Sequence, residues 1–219
     1  MNEAELVIGN KNYSSWSLRA WLALRKAGAE FRERRLSLDT PEFYAEIADY
    51  SPTGQVPVLW DGPVCTWDSL AIAEYANDRW AQGRLWPQDT AARARARAVS
   101  AEMHAGFSEL RSVMPMNCRA RNRRVPMSSR LEADINRIIS IWCECLEKGA
   151  GTGGWLFGDF SIADAMYAPV VFRFQTYGVE LPGPAASYAQ HVLADPDITD
   201  WTAAAELEQE VVEADEAGH

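Results

Sequence analysis

Two short motifs near the middle of the chain carry groups that could bind both ends of an amino acid. Val56 and Pro57 open an apolar run, Gln55-Val-Pro-Val-Leu59, that is typical of a strand. Because proline lacks an N–H and an X-Pro bond is readily cis, we expect a cis bond that leaves the Val56 N–H and C=O free for a peptide-like ligand. Asp68 and Ser69 follow a second short strand and begin a helix. The backbone donors there attract a carboxylate, and the Asp68 side chain attracts an ammonium.

A cluster of hydroxyl groups lies between the first predicted strand and the first predicted helix. It consists of Tyr13, Ser14, Ser15 and Ser17. A hydroxyl at the start of a helix can donate a hydrogen bond to an anion, and the helix dipole adds partial positive charge. Serine also caps helices without any catalytic role, and we favour that role for Ser17.

The order of the predicted elements indicates a thioredoxin-like region over residues 1–82. Strands are predicted at 6–9, 31–38, 55–59 and 64–67, and helices at 17–26, from Thr40 and from Asp68. Gly28 is expected to end the first helix, and Asp61-Gly62 favours a hairpin turn. The resulting order is β-α-β-α-β-β-α.

The rest of the chain is predicted to be helical, as a second domain over residues 90–219. A linker is expected at 83–89, and helices at 91–114, 128–147 and 161–177. The glycine-rich stretch 149–154 is predicted to be an ordinary loop, because no Gly-Lys-Ser/Thr follows it. Ser161 and Asp164 have the spacing of a capping box, which we assign to folding rather than to a site.

Charge and composition argue against several classes of partner. The 219-residue chain has a formal net charge of −10, which disfavours a nucleic-acid partner. Residues 93–137 hold ten arginines and four acids, for which we favour pairing on helix surfaces. Residues 195–219 hold nine acids and no Lys or Arg, which favours a solvated helix end and a frayed terminus.

Cysteine, histidine and hydropathy patterns point to a cytoplasmic protein without a metal. The four cysteines form no Cys-x-x-Cys pair and there are only three histidines, so no metal site is expected. The cysteines are expected to be reduced. No run approaches about 18 apolar residues, so no membrane partner is expected.

The two central motifs together resemble the glutathione site of the glutathione S-transferase family. They are Gln55-Val-Pro-Val-Leu59 and Asp68-Ser-Leu-Ala-Ile-Ala-Glu-Tyr75. Ser14-Ser-Trp-Ser-Leu-Arg19 is similar to the serine-containing segment of the zeta-like branch, and Phe160-Ser-Ile-Ala-Asp-Ala165 matches the capping segment of the second domain. The resemblance implies a thioredoxin-like N-terminal domain, a helical-bundle C-terminal domain and a homodimer.

The resemblance also implies glutathione as co-substrate and a set of site residues. The glutathione-binding residues would be Ser15, Gln55, Val56, Pro57, Asp68 and Ser69. Ser14 matches the serine that binds the thiolate and is the predicted catalytic residue, with Tyr13 as a competitor because tyrosine has this role in other branches. The electrophile pocket would be lined by Trp16, His104, Phe107 and Arg111, although the helical spacing of the last three also fits a core stripe.

The implied activity is conjugation of glutathione to small electrophiles, as in detoxification. The alternative is a glutathione-dependent cis-trans isomerase of maleylacetoacetate or maleylpyruvate type. Arginines near the pocket would suit the dicarboxylate substrate of such an enzyme. A non-catalytic interaction protein is a further alternative, but it gives no reason for all three site motifs to be present. Trp16 stands where the zeta-like branch has cysteine, and it favours the apolar slot that aromatic substitution needs. We therefore expect conjugation to be faster than isomerisation.

Overall fold

The computed structural model describes residues 3–148 and 153–218, so most of the predicted loop at 149–154 lies outside the described residues. The strands are β1 (Ala4–Ile8), β2 (Phe31–Arg35), β3 (Val58–Asp61) and β4 (Val64–Trp67). The helices are α1 (Ser15–Ala27), α2 (Pro41–Tyr50), α3 (Ser69–Arg79), α4 (Thr90–Ala105), α5 (Ser108–Val113), α6 (Ser129–Lys148), α7 (Ile162–Tyr177), α8 (Gly183–Leu193) and α9 (Pro196–Leu207). A short 3₁₀ turn, Glu213–Asp215, follows them.

The four strands form one mixed sheet in the order β2-β1-β3-β4. Strand β1 is parallel to β2 and antiparallel to β3, and β3 and β4 form the predicted hairpin. Side chains alternate between the two faces, because Leu6 and Leu59 pack in the main core whereas Val7 and Val58 pack under α2. The predicted thioredoxin-like arrangement is confirmed.

Helix α1 begins and ends at residues that the sequence marks. Gly28 has φ 75° and donates its N–H to the Arg25 carbonyl, as expected of a glycine that ends a helix. The Ser14 hydroxyl accepts the Ser17 N–H at 3.3 Å, so Ser14 caps the helix. The cap role favoured for Ser17 is therefore wrong, and Ser17 instead lies fully buried in the first turn.

The predicted helix at 91–114 is two helices, α4 and α5. Gly106 ends α4 in an extended conformation, and a Cβ added there would lie 2.8 Å from the Glu102 carbonyl oxygen. Phe107 follows in the left-handed region with φ 58°. The helical spacing assumed across His104, Phe107 and Arg111 is broken at this point.

Helix α1 contacts α3 on the sheet side of the molecule and α7 on the helical side. The predicted linker at 83–89 lies between α3 and α4, and Leu85 and Trp86 within it are buried. The Ile162 N–H at the start of α7 donates to the Leu85 carbonyl at 3.0 Å. Within the described residues, no helix is long and apolar enough to cross a membrane.

The acidic C-terminal end folds back onto the body of the molecule. Residues 208–218, here called the C-terminal strap, begin at Glu208, whose carboxylate accepts the Lys11 and Asn12 N–H groups at 2.7 and 3.1 Å. Glu216 forms an ion pair with Arg123 at 2.5 Å. The frayed terminus predicted from charge alone is therefore wrong for the described residues, because arginines and backbone N–H groups elsewhere in the chain bind these acids. The end of α9 is solvated as predicted, since Glu206 and Leu207 are exposed.

Candidate functional site

A cleft of about 870 Å³ lies between the sheet and the helices that follow it. Ten predicted site residues line it, namely Ser14, Ser15, Trp16, Gln55, Val56, Pro57, Asp68, Ser69, His104 and Arg111. Phe107 does not line it but is buried in the core, because the break at Gly106 turns α5 away from the direction of α4. The cleft also contains Arg173 and Asp215, which the sequence did not indicate.

The predicted cis bond between Val56 and Pro57 is present. In the described part of the chain, neither the N–H nor the C=O of Val56 has a hydrogen-bond partner. The preceding residue is held in place, since Ser51 Oγ accepts the Gln55 N–H at 3.1 Å and donates to the Gln55 carbonyl at 2.7 Å. An extended peptide placed beside Val56 would find one donor and one acceptor.

The start of α3 presents a carboxylate and a free hydroxyl to the same cleft. Asp68 Oδ1 accepts the Leu70 and Ala71 N–H groups at 2.9 and 3.3 Å, which caps the helix. Ser69 is buried, and its Oγ has no hydrogen-bond partner among the described residues. A buried hydroxyl at a helix N-terminus is suited to bind a ligand carboxylate.

His104 connects the helical region to this carboxylate. Its Nε2 lies 3.0 Å from Asp68 Oδ2, and its ring meets the Trp16 ring edge-on with centroids 5.4 Å apart. The sequence indicated His104 as a pocket residue but gave no sign of its contact with Asp68, which brings together α4 and the start of α3.

The hydroxyl groups around the start of α1 have different partners. Ser14 Oγ donates to Ser17 Oγ at 2.7 Å, and Ser15 Oγ accepts from Arg173 Nη2 at 3.2 Å. Because Ser15 accepts from a cation, its own proton is available for an acceptor in the cleft.

The Tyr13 hydroxyl is bound to residues outside the cleft. It donates to Glu216 at 2.6 Å and accepts from Arg119 at 3.0 Å. Burial and the hydrogen bond to Glu216 raise the pKa of Tyr13. Its hydroxyl is therefore poorly suited to donate to an anion in the cleft.

Arg111 and Arg173 line the cleft, and Arg19 is fully buried beside the Trp16 ring, which also lines it. We call these three side chains the guanidinium cluster. The Arg19 and Arg111 Cζ atoms lie 4.3 and 4.6 Å from the centre of the Trp16 ring. Arg111 donates to the Met103, His104 and Gly106 carbonyls and so also caps the end of α4.

The guanidinium cluster carries positive charge without close counterions. Burial lowers the pKa of all three groups, and the charge of Arg111 lowers the pKa of Arg19 and Arg173 further. No ion pair among the described residues involves any of them. Arg19 Nη1 and Nη2 and Arg173 Nε have no hydrogen-bond partner there either. Such a cluster is suited to bind an anion.

Family comparisons agree with this geometry. Residues 13–79 match the family described as "Glutathione S-transferase, N-terminal domain", and residues 129–207 match "Glutathione S-transferase, C-terminal domain". Among curated relatives, maleylacetoacetate isomerase of Rattus norvegicus is 29% identical over 82% of both chains. A probable maleylacetoacetate isomerase of Caenorhabditis elegans is 27% identical over 83% of this chain and 84% of its own.

A solved structure shares the fold. A glutathione transferase homologue from Burkholderia, crystallised with bound glutathione, superposes with a TM-score of 0.70 and 21% identity over 94% of this chain and all of its own. The chain therefore belongs to the glutathione S-transferase family and has its fold, a four-stranded mixed-sheet domain followed by a helical domain. Its family and its relatives place it among glutathione-dependent transferases and isomerases.

Proposed function

We propose that the chain activates glutathione as a thiolate and adds it reversibly to an unsaturated dicarboxylate, acting as a cis-trans isomerase. The observation that carries this proposal is the guanidinium cluster, because its members Arg111 and Arg173 line the same cleft as Val56 and Ser69. The relatives named maleylacetoacetate isomerase support the same reaction class.

Glutathione would lie along the sheet side of the cleft. The Val56 backbone would pair with its cysteinyl part, with Gln55 and Pro57 beside it, while Ser69 and the start of α3 bind the γ-glutamyl carboxylate. Asp68 would receive the α-ammonium through Oδ2, the oxygen that does not cap α3. The sulfur would then reach the start of α1, where Ser14 and Ser15 offer hydroxyl protons and the helix dipole favours a thiolate.

Removing the charge of Asp68 tests the placement of glutathione. Asp68→Asn is expected to weaken glutathione binding by roughly 10- to 100-fold, since a charge-assisted hydrogen bond contributes about 1.5–3 kcal/mol. Asparagine keeps an oxygen for the Leu70 and Ala71 N–H groups, so the helix cap remains.

Calorimetric titration with glutathione measures this effect. Asp61→Asn is a matched control, because Asp61 pairs with Arg79 at 3.1 Å and does not line the cleft. Equal glutathione affinity in Asp68→Asn and the wild type would rule out the assignment of Asp68.

The reaction itself needs both the proposed glutathione site and the guanidinium cluster. The thiolate attacks one carbon of the cis double bond, a C–S bond forms, and the electron pair moves to the conjugated carbonyl oxygen. The former double bond is then single and rotates, after which the C–S bond breaks and the trans product leaves with the glutathione thiolate regenerated. Arg111 and Arg173, the cluster members that line the cleft, would hold the substrate carboxylates and stabilise the developing negative charge during these steps.

Conjugation to an uncharged aryl electrophile is the second candidate, and the apolar side chains of Pro115, Met116 and Trp16 in the cleft favour it. The Trp16 ring, however, is contacted by two guanidinium groups and by His104. An uncharged aromatic substrate would have to pack among these polar groups. In the sequence, Trp16 alone favours conjugation over isomerisation. The polar groups around its ring favour isomerisation instead.

A direct comparison of the two reactions separates the candidates. We expect kcat/KM for isomerisation of maleylacetoacetate or maleylpyruvate to exceed that for conjugation to 1-chloro-2,4-dinitrobenzene by at least about tenfold, which is about 1.4 kcal/mol of transition-state preference. Both rates would be measured at saturating glutathione on one preparation. A larger value for the aryl halide would establish conjugation as the better activity.

Other expectations from the sequence stay predictions. The domain boundaries 1–82 and 90–219 rest on the order of the predicted elements, and the cytoplasmic location rests on the cysteine and hydropathy patterns. The homodimer and a role in detoxification rest on the family resemblance.

A further inference from the structure

The C-terminal strap lies beside the cleft, and several separate contacts hold it there. Glu216 accepts from the Tyr13 hydroxyl and from Asn117 Nδ2 at 2.6 and 2.9 Å. The Ala217 carbonyl accepts from Tyr177, and Arg119 donates to the Glu210 carbonyl at 3.0 Å. These contacts fix the backbone on both sides of Asp215.

Asp215 is a residue of the strap that lines the cleft. Its carboxylate accepts no hydrogen bond and forms no ion pair within the described part of the chain. The charged groups that act on it are Arg173 on α7, Asp39 before α2 and its neighbour Glu216. Burial, followed by the two acids, raises the pKa of Asp215 to about 6, although Arg173 opposes this shift.

Arg173 is the member of the guanidinium cluster whose pKa is affected by the Asp215 carboxylate. Asp215 is the strongest acidic influence on the pKa of Arg173, which burial lowers to about 10. Both side chains face the same cleft, yet they do not approach within ion-pair distance. The affinity of a ligand bound in the cleft would therefore depend on the charges of both.

We propose that Asp215 is a specificity-determining residue that restrains the affinity of the cleft for a dianionic second substrate. Its negative charge opposes the attraction of Arg173 for ligand carboxylates, so the strap sets how much negative charge the cleft accepts. This inference rests on the proposed function, because it concerns the second substrate of the same site.

Binding of an unreactive dicarboxylate tests this role. Succinate would be titrated by calorimetry into the full-length protein saturated with glutathione, at low salt and near neutral pH, where Asp215 is mainly ionised. Asp215→Asn is expected to tighten succinate binding by roughly tenfold, because it removes a negative charge that repels the ligand carboxylates in the cleft. Binding of the uncharged analogue succinamide should change by less than about twofold, because the effect is electrostatic.

Two further variants distinguish this role from a structural one. Glu213→Gln removes the same charge from the same 3₁₀ turn, but Glu213 is exposed and does not line the cleft, so succinate binding should stay unchanged. Asp215→Glu keeps the charge and should keep the weaker binding of the wild type.

The outcomes separate this inference from the proposed function. If the wild type fails to bind glutathione, the proposed function is wrong. If it binds glutathione but Asp215→Asn leaves succinate affinity unchanged, or Glu213→Gln alters it equally, only the assignment of Asp215 is overturned.

Discussion

Replacing Ser14 with alanine is expected to lower kcat/KM for the glutathione-dependent reaction by about 100-fold, the loss typical of removing one donor to a reacting anion. A free thiol has a pKa of about 8.5, so the thiol of glutathione needs stabilisation of its anion to react at neutral pH. Ser14 Oγ donates to Ser17 Oγ, and with glutathione bound it would turn its proton toward the sulfur. Glutathione affinity should change much less, because the backbone and α3 contacts remain.

Titration of the thiolate absorbance of bound glutathione measures the effect directly. In Ser14→Ala the pKa of the bound thiol should rise, whereas Ser14→Thr, which keeps a hydroxyl and the helix cap, should recover most of the activity. Tyr13→Phe should have little effect, because that hydroxyl is bound to Glu216 and Arg119. If Tyr13→Phe alone raised the thiol pKa, Tyr13 would be the activating residue instead.

Ser15 is the other hydroxyl that this experiment must separate from Ser14. Its Oγ accepts from Arg173, a contact that leaves its proton free and makes it a better donor. The family resemblance nevertheless gives the catalytic role to Ser14, so we expect Ser15→Ala to weaken the reaction less than Ser14→Ala, while it also disturbs Arg173. If Ser15→Ala lowered kcat/KM by as much as is expected for Ser14→Ala, Ser15 rather than Ser14 would be the catalytic residue.

The sheet and its helices could be predicted because their ends are marked by local sequence. Gly28, Thr40-Pro41 and Asp61-Gly62 each fix the backbone within a few residues, and the structure has an element boundary at each of them. The site motifs follow for the same reason, since Pro57 and Asp68 define a strand entry and a helix start.

The remaining features depend on residues that are far apart in sequence. Tyr13 and Glu216 are separated by 203 positions, and Ser15 and Arg173 by 158. No local pattern predicts such contacts, so the sequence alone predicts a frayed terminus and gives no sign that Arg173 lines the cleft. The break between α4 and α5 has a local cause, Gly106, but a single glycine inside a helical pattern is often tolerated and so does not by itself predict a break.

The prediction with the largest effect on stability concerns Asp164, the fully buried acid in the first turn of α7. Its carboxylate accepts the Ser161 and Leu156 N–H groups at 2.8 and 3.0 Å and the Ser161 hydroxyl at 2.9 Å. Asp164→Ala leaves these buried donors unpaired, and we expect the free energy of unfolding to fall by about 3 kcal/mol or more.

Urea unfolding gives the loss in unfolding free energy for Asp164→Ala and for Asp89→Ala. The difference between the two losses measures how much burial adds to the stabilisation by an acid at a helix start. Asp89 caps α4 by accepting the Ala92 N–H at 2.8 Å, but it is exposed, so its loss should cost only about 1 kcal/mol. Equal losses in the two variants would mean that burial adds nothing to the capping interaction.

The pH dependence of the unfolding free energy of Asp164→Ala, compared with that of the wild type, shows whether ionisation of Asp164 stabilises or destabilises the fold. Burial raises the pKa of Asp164 to about 6, above its ordinary value of 3.8, although its hydrogen bonds oppose the shift. Between these values the folded chain binds a proton that the unfolded chain does not, so this group adds stability as the pH falls through about 6. The difference in unfolding free energy between the wild type and Asp164→Ala should therefore be larger near pH 5 than near pH 7.5. A smaller difference near pH 5 would show that the three donors outweigh burial and hold the pKa of Asp164 below its unfolded value.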